Sequence, residues 1–186
     1  TPPRRPTDGS RDVERLWSPW RHVYVTRSAE PVECVFCAAA DSASEHAALV
    51  VHRGRACYVI LNLYPYNGGH VMVVPNRHIA TLGGLSDDEL VEVARLTRLS
   101  EAVLGACYQP QGMNVGLNLG RPAGAGVADH LHVHLVPRWN GDTNFMPVIG
   151  QVRVLPEDLG TTAARLRPLF AQLAADDPRL QDERPL

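Results

Sequence analysis

Polar and apolar residues alternate through His130-Leu131-His132-Val133-His134-Leu135, the two-residue period of a β-strand. On such a strand His130, His132 and His134 share one face, and Leu131, Val133 and Leu135 share the other. Neighbouring imidazoles then stand roughly 6–7 Å apart at their Cα atoms. Two further β-rich runs, Cys57 to Leu63 and His70 to Pro75, flank the turn signal Tyr64-Pro65-Tyr66-Asn67-Gly68-Gly69. Met113 to Leu119 reads as a third strand, and the glycine-rich stretch Gly120 to Gly126 as the loop before the histidines.

The period changes to that of a helix at Leu90, Val93, Ala94, Leu96, Leu99 and Val103. Ser86-Asp87-Asp88-Glu89 supplies a capping box for that helix, and its end is expected near Tyr108, ahead of Pro110. A last helix is predicted from Pro156 to about Ala174, with Glu157-Asp158 in its first turn and Pro168 as a kink or interruption. Leu16, Trp17, Trp20 and Tyr24 give Asp12 to Val25 an aromatic helical face suited to packing on a core or a subunit. Ala38 to Ala48 reads as a loop. Residues 1–11 are expected to be a disordered tail, 12–175 one domain, and 176–186 a frayed end. Strands joined by tight turns, with one long helix between hairpins, predict an antiparallel α+β sheet.

Composition narrows the function classes. At 186 residues the chain suits one domain with a sizeable core. A net charge of −2 gives no global attraction for nucleic acid or an anionic membrane, so an anionic substrate must be held locally. All 18 basic residues are arginine, which excludes lysine Schiff-base chemistry and a P-loop. Gly120-Arg121-Pro122-Ala123-Gly124 lies between two strands and opens no helix, so it is no dinucleotide-binding loop. No run approaches the ~20 apolar residues of a membrane span, and no signal segment is recognised. A cytoplasmic setting with reduced thiols is the expectation.

A neutral imidazole can attack phosphorus, provided one ring nitrogen is free and the other is held as N–H. A second imidazole can then donate to a phosphate oxygen or to the leaving group. Gly124, Ala125 and Gly126 bring backbone amides close to the histidines, where they can bind phosphate oxygens, and Arg138 adds a cation at the strand end. Cys34-x-x-Cys37 is a redox pair, an accident of sequence, or half a zinc site.

His130-Leu-His132-Val-His134-Leu-Val resembles the motif of the histidine-triad family, and the likeness runs from about Leu16 to Phe170. Leu61-Asn62-Leu-Tyr-Pro-Tyr-Asn-Gly-Gly-His70, Asn114-Val-Gly-Leu-Asn118-Leu-Gly120 and Pro137-Arg138-Trp139-Asn-Gly141-Asp142-Thr-Asn144-Phe145 are similar to the bacterial branch that includes diadenosine tetraphosphate phosphorylases. The resemblance implies a HIT-like fold and a nucleotidyl transfer enzyme, a homodimer or higher homo-oligomer, without an organic cofactor. It implies His132 as nucleophile, His134 on the phosphate or leaving group, and His130 as a supporting or metal-binding residue. Asn62 matches the ribose-contacting position, Asn118 a polar residue near the phosphates, and His70 a residue that orients the site.

The implied reaction splits a dinucleoside polyphosphate with inorganic phosphate into ATP and ADP. The alternatives are a hydrolase releasing AMP, from such nucleotides or from nucleoside phosphoramidates, and a non-catalytic nucleotide-binding module. One departure bears on the choice. Where many relatives place Gln or Ser before the first histidine, this chain has only Gly124-Ala125-Gly126-Val127-Ala128-Asp129. Some relatives complete a C-x-x-C zinc site with two histidines; the matching set here is Cys34, Cys37, His78 and His130, implying a structural zinc.

Overall fold

The computed structural model of this chain describes residues 34–142 and 157–178. The aromatic helix expected over 12–25 and most of both expected tails lie outside the described residues.

Five strands form one antiparallel sheet: β1 (Val50–Arg53), β2 (Cys57–Leu61), β3 (Val71–Pro75), β4 (Gly112–Leu117) and β5 (Val133–Arg138), in the order β1-β2-β3-β5-β4. β2 and β3 are buried along their whole length because both sheet faces are covered, so they carry unbroken apolar runs rather than alternation. The two side-chain parities separate two cores. Val59, Leu61, Val71, Val73 and Leu135 meet helices α2 (Asp87–Tyr108) and α3 (Leu159–Asp176) on one face. Tyr58, Ile60, Met72 and Val74 meet a short helix α1 (Val35–Ala40) on the other. His134 pairs with Met72 across β3 and β5, which puts it on the α1 face.

α2 forms where its capping box and apolar spacing place it. Ser86 Oγ accepts from the Glu89 amide while the Glu89 carboxylate accepts from the Ser86 amide. Arg77 also donates to Glu89 and, with these bonds, holds its carboxyl down at about 2. Val93, Leu96, Leu99, Val103 and Leu104 then bury against the sheet, each contributing about 1.5–3 kcal/mol. Gln109 ends the helix in the left-handed conformation, as expected ahead of Pro110.

Four local expectations need correction. The strand β1 was not anticipated; its Val50 and Val51 are buried, while the polar His52, whose ring stacks on Phe170, and the exposed Arg53 break the apolar signal. Ala38 to Ala48 is not all loop, since α1 runs to Ala40 and a 3-10 turn covers Glu45–Leu49. β5 begins at Val133, so His130 and His132 precede the ladder; the Leu131 amide donates to the Ile79 carbonyl instead. α3 begins at Leu159, capped by the Asp158 carboxylate on the Thr161 amide, and it runs unbroken through Pro168. Pro168 and Ala164 lie on the exposed face, where solvent can satisfy the carbonyl that proline leaves unbonded, while Leu166 and Phe170 anchor the buried side.

Candidate active site and metal centre

The three triad histidines keep a common face, with distinct partners. His130 is fully buried and its Nε2–H donates to the Pro75 carbonyl at 2.9 Å. That bond fixes the tautomer and leaves the Nδ1 lone pair directed at two thiols, Cys34 Sγ at 3.3 Å and Cys37 Sγ at 3.6 Å. Cys37 Sγ also lies 3.2 Å from His78 Nδ1. The donor atoms of Cys34, Cys37, His78 and His130 all lie within 4.8 Å of one another, a group that can hold a metal ion.

The spacing fits zinc in particular. Zinc–sulfur and zinc–nitrogen bonds of about 2.3 and 2.0–2.1 Å at tetrahedral angles separate the two donors by roughly 3.6 Å. The three S···N contacts are 3.2–3.6 Å. The His130 Nε2–H to carbonyl bond is the outer support that metal-bound imidazoles need. Cys34 at the N-cap of α1, Cys37 in its first turn, one histidine on the loop after β3 and one on the segment before β5 close this group.

His132 has the complementary arrangement. Its Nδ1–H donates to the His130 carbonyl at 2.8 Å, so the lone pair is on Nε2. Burial lowers its pKa, outweighing the bond to that carbonyl, and keeps the ring neutral and nucleophilic near neutral pH. His130 is lowered as well, chiefly by burial.

His134 stands next to it, ring centroids 4.8 Å apart and nearly perpendicular. Its Nδ1 is 3.0 Å from His70 Nε2. The direction of that bond follows from the next link, where the Tyr66 amide donates to His70 Nδ1 at 3.1 Å. An accepting Nδ1 puts the neutral His70 proton on Nε2, so His70 donates to His134 and the His134 proton is on its own Nε2. The site thus pairs an acceptor nitrogen on His132 with a donor nitrogen on His134.

The other expected residues divide. Asn62 follows β2 beside the His70 turn, its amide donating to the His70 carbonyl and its Oδ1 accepting from the Tyr64 amide. Asn118 is half-buried just past β4. In the glycine loop, Gly120 and Gly124 take positive φ values of 78° and 93° around a 3-10 turn over Arg121–Ala123. The Gly124 and Ala125 amides donate to Arg121 and Gly120 carbonyls inside that turn, so the three amides do not line up toward the phosphates as expected.

Arg138 is not gathered with the histidines. It lies four residues beyond His134, about 13 Å along the strand, and its guanidinium binds both Asp142 oxygens and Asn114 Oδ1. That ion pair uses the fixed cation that sequence reasoning assigned to phosphate.

Phe36 was missed by sequence reasoning. It lies between the two cysteines, is buried, and packs its ring 4.9 Å from that of His132 and 5.4 Å from that of His130. The signal available was a single aromatic residue inside Cys34-Val-Phe-Cys37.

Comparison with known proteins gives a consistent picture. The HIT domain profile matches residues 43–141. A Mycobacterium tuberculosis protein named AP-4-A phosphorylase is 42% identical over 174 residues, covering 88% of each chain. Among solved structures, a Zn-bound histidine triad family protein from Mycobacterium smegmatis superposes with a TM-score of 0.63 at 26% identity, covering 78% of this chain and 98% of that one. A hypothetical histidine triad nucleotide-binding protein from Sulfolobus tokodaii gives a TM-score of 0.64 at 26% identity over 82% of this chain and all of that one.

Proposed function

The chain belongs to the HIT domain family, and from that premise we propose that it is a phosphorylase of diadenosine tetraphosphate, releasing ATP and ADP through a nucleotidyl-histidine intermediate. The observation that carries the reading is the opposed tautomers of His132 and His134, a buried acceptor nitrogen beside a donor nitrogen.

In the first half-reaction the His132 Nε2 lone pair attacks the phosphorus nearest one adenosine. The bond from that phosphorus to the bridging oxygen breaks, ATP leaves, and AMP remains on His132. Positive charge developing on the ring is stabilised by the Nδ1–H bond to the His130 carbonyl. The His134 Nε2–H donates to an oxygen of the reacting phosphate or of the leaving group. In the second half-reaction inorganic phosphate attacks the same phosphorus, the P–N bond breaks, and ADP departs with the neutral imidazole restored.

Asn62 is assigned to the ribose and Asn118 to the phosphates, and Gly126 is the loop amide left for a phosphate oxygen. Cys34, Cys37, His78 and His130 are assigned to a zinc ion. When bound it contributes folding energy by joining α1, the loop after β3 and the segment before β5, and takes no part in the bond changes. No helix among the described residues is long and apolar enough to cross a membrane, and reduced thiols at the zinc site suit the cytoplasm. A homodimer is supported by β4, an edge strand whose Val115 is half-exposed.

The test is to incubate the protein with diadenosine tetraphosphate, with and without inorganic phosphate, and separate the nucleotides. ATP plus ADP, formed only with phosphate, is the expected result. AMP plus ATP without phosphate makes it a hydrolase, and no turnover with retained nucleotide binding makes it a binding module.

A further inference from the structure

The cysteine helix does more than close a metal site. Phe36, placed between Cys34 and Cys37 on a six-residue helix, has its ring against the rings of both His130 and His132. We propose that Phe36 is a positioning residue for the His132 attack, and that the metal group sets its place by anchoring α1.

Two connections lead from the metal donors to His132. One is the Phe36 ring, 4.9 Å from the His132 ring and tilted 44° to it. The other runs through His130, whose Nδ1 faces the thiols while its backbone carbonyl accepts from His132 Nδ1. A helix of six residues is far below the length that is stable alone, so α1 depends on what ties it down. Besides the two cysteines and the burial of Phe36 and Ala39, those ties are the Tyr58 hydroxyl on the Phe36 carbonyl and Arg53 on the Ala39 and Ala40 carbonyls. Removing the metal leaves those weaker bonds to hold the wall behind the nucleophile. Near-attack geometry is steep in position, and a misplacement of about 1 Å is worth up to ~10²-fold in rate.

The inference rests on His132 being the nucleophile, so the experiment separates the two. Zinc-loaded Phe36→Ala and Phe36→Leu proteins are assayed for zinc content, for KM and for kcat with diadenosine tetraphosphate and phosphate. The expected result for Ala is wild-type zinc and KM with kcat lowered by about tenfold to a hundredfold, most of it recovered by Leu, which refills the space.

In parallel, wild-type protein is stripped with a chelator and the ¹⁵N signals of the His132 ring are recorded. They should lose the single Nδ1–H tautomer and regain it when zinc alone is restored. An unchanged kcat in a zinc-loaded Phe36→Ala protein, a loss confined to KM, or an unmoved His132 tautomer on stripping would overturn the inference. Should the Ala variant fail to fold, the Leu variant and the stripped wild type decide. Turnover surviving in His132→Ala would overturn the nucleophile assignment itself, whatever Phe36 does.

Discussion

Gly69 immediately precedes the histidine that fixes the His134 tautomer, and Gly69→Ala is the most informative single perturbation of that link. Its φ of +74° is in the left-handed region, and a Cβ built there meets Tyr108 Cε2 at 2.8 Å, Tyr108 Cδ2 at 3.1 Å and Leu104 Cδ2 at 3.3 Å. The backbone term costs about 1–2 kcal/mol and the crowding about 1–3 kcal/mol, together about 2–5 kcal/mol. For a chain of this size each kcal/mol lowers Tm by about 2–4 °C, so the variant should melt about 4–20 °C below wild type.

The two terms can be separated. Tyr108→Leu removes the ring carbon that the new Cβ meets at 2.8 Å but leaves φ and the Leu104 contact unchanged, so Gly69→Ala in that background should cost less than in wild type, approaching the backbone term of about 1–2 kcal/mol. Urea midpoints of the four proteins give the cycle. At temperatures where Gly69→Ala is folded, kcat should fall, because the shift moves His70 away from His134. A variant as stable and active as wild type, or a cost that Tyr108→Leu does not reduce, would refute the reasoning.

Other outcomes follow from the same geometry. His70→Gln keeps a donor near the Nε2 position and should retain more kcat than His70→Phe, which leaves His134 Nδ1 without its partner; equal rates in steady-state assays would count against the tautomer chain. Elemental analysis should find zinc in wild type and not in Cys37→Ser, whose Tm should be insensitive to chelator. His52, His130 and His132 all have pKa values lowered by burial. The unfolded chain therefore binds more protons below about pH 6.5. In chelator-treated protein the contribution of these histidines to stability should be intact above that pH. It should fall as the pH drops through the lowered folded values, by up to about 1.4 kcal/mol per pH unit for each histidine. A urea midpoint that rises on acidification from pH 6.5 would contradict the burial of these rings.

Much of this was legible in the chain because periodicity and capping are local. The capping box at Ser86, the turn Tyr64–Gly69 and the alternating histidines each report their own neighbourhood, and the antiparallel α+β sheet followed from their order. β1 was hidden because its strand signal lasts only four residues and half of them are polar. The part played by Arg138 was misjudged because its charge is visible in sequence while the Asp142 and Asn114 that occupy it come together only in the fold. Phe36 was invisible for the same reason. Its contact with His132 spans nearly a hundred residues of chain, and no spacing rule reaches that far.

The most direct test of nucleotidyl transfer through His132 is to trap the covalent intermediate. Protein mixed with diadenosine tetraphosphate in the absence of phosphate, quenched in base and mapped by mass spectrometry, should carry one AMP on His132 with the acid lability of a P–N bond. Adding phosphate before the quench should discharge it as ADP. An adenylyl group on another residue, or product formation with no labelled histidine at any quench time, would contradict the account.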